Sequence, residues 1–125
     1  MGIEEPREGG SRRPSTQPST NTTVIDVDKD GFLRDFRTWS PDAAASIAAM
    51  ERITLSARHW EVINLVRQYY DDFRVSPPTR VLAKLVAEKL GTDKGRSIYL
   101  MQLFTAKYAR NVSKIAGLPK PTGCD

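Results

Sequence analysis

The stretch Thr54–Val75, TLSARHWEVINLVRQYYDDFRV, decides the fold class. Trp60, Ile63, Val66 or Arg67, and Tyr70 recur at helical spacing, and Val62, Leu65, Tyr69 and Phe73 form a second row beside them. That period belongs to an α-helix with a wide apolar stripe. A stripe so wide must be buried against more than one neighbour, so the chain needs other helices around this one.

The neighbours are readable on both sides. Upstream, SPDAAASIAAMER starts a helix, with Ser40 as the N-cap, Pro41 at the first helical position and Asp42 complementing the dipole. Downstream, Pro77-Pro78 stops the chain, and Thr79 opens a helix through RVLAKLVAEKLG that closes at Gly91. DKGRSIYLMQLFTAKYARNVSKIAG is helical with a break near Thr105 and an end at Gly117. Before all of these, TTVIDVDKDGFLRDFRTW combines β-favouring Val24, Ile25 and Val27 with the turn residues Asp28–Gly31, which predicts a short β-hairpin. The expected fold is mainly α: an orthogonal bundle of about five helices behind a short N-terminal β-hairpin, with an extended C-terminal arm.

The organisation follows from composition. Residues 1–22 are rich in Gly, Ser, Thr, Pro, Arg and Glu, have almost nothing to bury and are expected to be disordered. Residues 23–117 form the helical domain, and 118–125 a flexible arm. At 125 residues, 39% hydrophobic and 27% charged, the chain is one ordinary globular domain. No apolar run approaches the roughly 18 residues of a membrane span, and the N-terminus lacks the apolar core of a secretory signal. Pro6 stands where a myristoylation motif needs Ser or Thr. One cysteine makes no internal disulfide, which points to a reducing compartment, the cytoplasm. The net charge of +4 permits an acidic partner such as DNA or tRNA without demanding one.

Several chemistries are excluded. A single histidine and a single cysteine make neither a zinc set nor a readable Cys-His-Asn constellation. His59, beside Trp60 on the amphipathic helix, reads as a hydrogen-bonded structural histidine. Asp26, Asp28, Asp30 and Gly31 begin like a calcium loop, but Arg37 occupies the position of the bidentate glutamate and would repel the ion. The pair of helices between Pro78 and Phe104, with Lys94 and Arg96 near the second start, has a helix-turn-helix outline. Against a DNA-binding regulator stands the second helix itself, apolar on most sides through Ile98, Leu100, Met101, Leu103 and Phe104.

What remains is the end of the chain, KIAGLPKPTGCD. Its only cysteine, Cys124, follows Leu118-Pro119-Lys120-Pro121-Thr122-Gly123. The Pro-x-Pro pattern favours polyproline II, so the steps from Gly117 to Cys124 reach roughly 20 Å. Gly123 adds a swivel beside the sulfur. The physical reading is a thiol on a semi-rigid arm that can enter a partner's cleft. Arg110, Lys114 and Lys120 would favour the thiolate if the arm folds back, whereas Asp125 opposes it.

KIAGLPKPTGC, together with DKDGFL, Trp39, LSARHWEVINLVRQYY, PPTRVLAKLV and KGRSIYLMQLF, resembles the DsrC/TusE family of small sulfur-carrier proteins over roughly residues 23–125. The resemblance implies that Cys124 accepts sulfane sulfur as a persulfide and passes it on, a carrier more than a turnover enzyme. It implies other sulfurtransferases or a sulfite-reductase-like protein as partners, and neither metal nor cofactor. It puts Arg110 at the family's usual basic position, where it would steer the arm or its anionic cargo; beside it, the residues themselves offer Lys114 and Lys120 to steer or stabilise the anion and Gly123 to free the thiol. Family members with two arm cysteines carry the other one at the position of Ser113, so an intramolecular disulfide cycle is excluded here and a one-cysteine relay remains, which resembles the TusE-type branch that feeds sulfur toward 2-thiouridine in tRNA and equally fits a paralogue with another role. LFTAKYARNV also departs from the family's usual LFPxGPxK, keeping a basic residue only at Arg110. The other reading of the resemblance is an interaction subunit that regulates a sulfur enzyme without carrying sulfur.

Overall fold

A computed structural model describes residues 25–122. Among them are five α-helices: α1 (Pro41–Met50), α2 (Ala57–Phe73), α3 (Thr79–Leu90), α4 (Ser97–Phe104) and α5 (Tyr108–Ile115). Short 3-10 turns occupy Phe36–Thr38 and Thr92–Gly95. No described helix is long and apolar enough to cross a membrane. The expectations for residues 1–22 and for Val24 lie outside the described residues.

Local chemistry sets the helix ends. Ser40 Oγ accepts the Ala43 N–H at 3.1 Å, with Pro41 in the first turn, so α1 starts where a capped N-terminus is cheapest. Pro78 precedes α3, and Gly91, at φ 121°, ends it. Gly95 brings the next turn onto α3, where an added Cβ would lie 2.6 Å from the Ala87 Cβ. The segment before α1 forms a turn at Asp28–Gly31 and one antiparallel pairing, Val27 with Leu33, with no longer ladder among the described residues.

The core is shared by all five helices, with Ala44, Ile47 and Ala48 of α1 fully buried in it. α2 buries Val62, Ile63 and Val66, while Trp60 and Tyr70 are half-buried and Phe73 is 62% exposed. The wide stripe therefore narrows toward its end. Phe73 pairs with Tyr69 at the surface, ring centroids 4.7 Å apart, beside Leu85 of α3.

The short α5 is the hub: it packs against each of the other four helices and buries Tyr108, Ala109, Asn111, Val112, Ser113, Lys114 and Ile115. Its polar residues mostly find partners. Asn111 Nδ2 donates to the Phe104 carbonyl and to Thr105 Oγ1, both at 2.8 Å, and so ties the break between α4 and α5. Thr105 takes a positive φ of 70° at that break, so the turn forms without the glycine and proline of the family pattern.

Candidate functional site

The arm leaves from the C-terminal end of α5. A helix end exposes carbonyls that need donors. Ala116 N–H donates to Val112, Leu118 N–H to Ser113 at 2.9 Å and Gly117 N–H to Lys114 at 3.1 Å. This closure uses Gly117 at φ 77°, the left-handed conformation that glycine adopts freely. The next two carbonyls, of Ile115 and Ala116, have no such donor, because Gly117 turns the chain out of the helix and Pro119 carries no N–H. Side chains from distant parts of the chain take over. Trp39 Nε1 donates to the Ile115 carbonyl at 2.9 Å, and Arg67 Nη1 to the Ala116 carbonyl at 2.6 Å.

These two side chains also pack on each other. The Arg67 guanidinium stacks over the Trp39 ring, 3.7 Å from its centroid, and Trp60 meets Trp39 edge-on at 6.5 Å. Burial pushes the Arg67 pKa below the ordinary arginine value, and Asp71, one turn on, pulls it back up. Gly117 lies so close to the indole that a Cβ there would sit 2.4 Å from Trp39 Cδ1. Further out, Ser76 Oγ donates to the Pro119 carbonyl, and Leu118 and Pro121 are both buried. The described part of the arm therefore rests on the body as far as Pro121. Lys120 projects into solvent. Gly123, Cys124 and Asp125 lie outside the described residues.

Arg110 and Lys114 come together on one side of α5, where they line an open cleft of about 420 Å³ with Glu51, Thr105, Ala106, Lys107 and Asn111. Lys114 is almost fully enclosed, and its Nζ donates to Glu51 Oε2 at 2.8 Å. Arg110 faces Asp30 at 3.6 Å and lies above the Phe32 ring. Lys120 is on the arm and does not line this cleft. Sequence reasoning gave no role to Arg67 or Ser76. The available signal was an arginine inside the apolar stripe of α2, since a charge at that position needs a buried acceptor.

The remaining motifs resolve into structural roles. His59 Nδ1 accepts from the Ser56 N–H at 3.1 Å and stands 2.8 Å from its hydroxyl, leaving Nε2–H to donate to the Leu103 carbonyl at 2.8 Å. Its ring packs edge-on against Phe104 at 5.1 Å. Asp28 caps its own turn, accepting the N–H groups of Asp30 and Phe32, while Asp26 pairs with Arg34 and Asp30 with Arg110. The helix-turn-helix reading finds no support: α4 turns Ile98 and Met101 to solvent, and Lys94 is paired with Glu61 at 2.9 Å.

Comparison with known proteins places this geometry among relatives. A family model described as DsrC like protein matches residues 19–124. A protein of Haemophilus influenzae named sulfurtransferase TusE homolog is 48% identical over 104 residues, covering 83% of this chain and 95% of that one. Sulfurtransferase TusE of Salmonella paratyphi A is 48% identical over 100 residues, covering 80% and 92%. Among solved structures, Allochromatium vinosum DsrC matches with a TM-score of 0.73 at 42% identity, over 81% of this chain and 90% of that one. The oxidized gamma-subunit of the dissimilatory sulfite reductase (DsrC) from Archaeoglobus fulgidus matches with a TM-score of 0.70 at 36% identity, over 81% and 92%.

Proposed function

The chain belongs to the DsrC-like protein family, and from that premise we propose that it is a sulfur-relay carrier that loads and unloads sulfur on Cys124. In the loading step the Cys124 thiolate attacks the outer sulfur of a donor persulfide. The donor S–S bond breaks, the donor leaves as a thiolate, and the outer sulfur remains on Cys124 as a persulfide. In the unloading step an acceptor thiolate attacks that outer sulfur, and Cys124 returns as a thiolate. Sulfane sulfur moves between thiols, so the exchange needs no external oxidant or reductant.

The observation that supports the reading is the anchored arm root. The body holds the chain through Pro119 and Pro121, and the single cysteine follows a few residues later. Three extended residues from Pro121 to Cys124 span about 10 Å. A thiol within that reach of a fixed base can meet a partner without the base moving. Lys107 in the cleft and Lys120 on the arm would supply positive charge for an anionic persulfide, with Arg110 already facing Asp30 and Lys114 paired to Glu51. Serine at 113 leaves the carrier with a one-thiol cycle. Its partners are other sulfurtransferases of a relay or a sulfite-reductase-like protein, met in the cytoplasm, where a lone thiol stays reduced.

The test is mass spectrometry after incubation with a cysteine desulfurase and cysteine, or with a rhodanese and thiosulfate. The expected result is a mass gain of one sulfur atom, localised to Cys124, reversed by a thiol reductant and absent in Cys124→Ser. Absence of the adduct with both donors would reject the carrier reading. A stable complex with a sulfur enzyme that is indifferent to Cys124→Ser would favour the regulatory subunit instead.

A further inference from the structure

We propose that Arg67 and Trp39 are positioning residues that latch the root of the arm and so set the direction and reach of the thiol; this rests on the reading of Cys124 as the carrier group.

The argument begins with the prolines. Pro119 and Pro121 stiffen the arm beyond α5 and carry no N–H with which to tie it down. Gly117, at φ 77°, also turns the chain out of the helix, so no later N–H continues the helical pattern onto the Ile115 and Ala116 carbonyls. Trp39 donates to the first instead, and Arg67 to the second. With these two bonds, every carbonyl from Val112 to Ala116 has a donor. A polyproline arm can be rigid in itself and still swing about its first free residue. Here the root is held on two sides, by the guanidinium and the indole, and Gly117 is pressed against the Trp39 ring.

The two donors come from different segments, Trp39 ahead of α1 and Arg67 within α2. Stacking makes them one unit: the indole fixes the guanidinium plane, and the guanidinium holds the ring against Gly117. Ser76 adds a third hold on the Pro119 carbonyl. With both donors bound, the segment leading into Pro119 has one fixed direction; without them that direction is held only by Ser76 and by the burial of Leu118 and Pro121. A partner cleft would then meet the thiol in far fewer productive orientations, which weakens docking more than chemistry.

Because Cys124 is the only cysteine, it can carry a single spin label for electron paramagnetic resonance. Arg67→Met and Trp39→Phe are expected to increase label mobility, with Arg67→Lys recovering part of the restriction. Trp39→Phe keeps a ring and removes only the N–H, so it serves if Arg67→Met fails to fold. In the unlabelled proteins, sulfur uptake from a cysteine desulfurase should show KM raised by about tenfold, the equivalent of one charge-assisted hydrogen bond, with kcat nearly unchanged. Alkylation of Cys124 by iodoacetamide should keep its rate, because a small reagent needs no docking geometry. A folded Trp39→Phe or Arg67→Met protein with wild-type label mobility would overturn the latch. So would a mobility gain matched by Val66→Ala, which loosens the core without removing either donor. Label mobility requires no sulfur, so if wild type takes up none while the variants still loosen, the carrier reading fails and the latch stands.

Discussion

Replacing Gly117 by alanine tests the packing at the arm root. Two costs add. At φ 77°, a residue with a Cβ sits in the left-handed region, at about 1–2 kcal/mol. The new methyl group would lie 2.4 Å from Trp39 Cδ1, 2.8 Å from Cγ and 3.0 Å from Cβ, all well inside van der Waals contact. The indole cannot simply retreat, because its N–H is bound to Ile115 and its face is covered by Arg67. Overpacking of this kind costs about 1–3 kcal/mol. The lower entropy of alanine in the unfolded chain offsets about 0.4–1 kcal/mol. The net expectation is a loss of about 2–4 kcal/mol, a large share of a typical domain's stability. Urea unfolding followed by circular dichroism reads it as a midpoint lowered by about 1–2 M, given usual slopes for small proteins. The same substitution in a Trp39→Ala background should cost only about 1 kcal/mol, because the Cγ and Cδ1 clashes are gone and the backbone term remains. An equal loss in both backgrounds, or a loss below about 1 kcal/mol in wild type, would refute the steric argument.

Three further outcomes are expected. Burial opposes the Asp28 carboxylate, but its bonds to the Phe32 and Asp30 N–H groups and the charge of Arg34 hold its pKa below the ordinary 3.8. Stability from this group is present above the unfolded value and lost as pH falls through the folded one. Asp28→Ala should therefore cost about 1 kcal/mol near neutrality and converge on wild type in strong acid, whereas a pH-independent gap would contradict the assignment. His59→Ala should lower stability by about 2–4 kcal/mol through lost packing and hydrogen bonds while leaving sulfur loading of Cys124 intact, and loss of loading without loss of stability would make the histidine functional. Asn111→Leu should lower stability by about 1–3 kcal/mol by stripping the Phe104 carbonyl of its donor, and an unchanged melting temperature would show that the turn between α4 and α5 holds by itself.

The helices were readable because their limits are local. Ser40 with Pro41, Pro77-Pro78 ahead of Thr79, and Gly91 each act within a few residues, so sequence neighbours carry the signal. The structural role of His59 was readable for a similar reason, its Nδ1 partner being Ser56 on the preceding turn. The burial of α5 was not. Asn111, Ser113 and Lys114 interrupt its apolar pattern, and a periodicity argument turns such residues toward solvent. They are buried because four other helices enclose α5, and Lys114 reaches Glu51 from across the fold. A steering role for Lys114 would therefore fall to an ammonium already bound to a carboxylate.

By itself the sequence determined a set of helices, their caps and breaks, and a thiol placed beyond two prolines, all consequences of short-range backbone chemistry. Only the tertiary structure decided how the arm is held. Its root is capped by Trp39 and Arg67, which lie 76 and 49 residues away along the chain. Hydrogen bonds over such separations exist only after the helices have packed, so no local pattern encodes them.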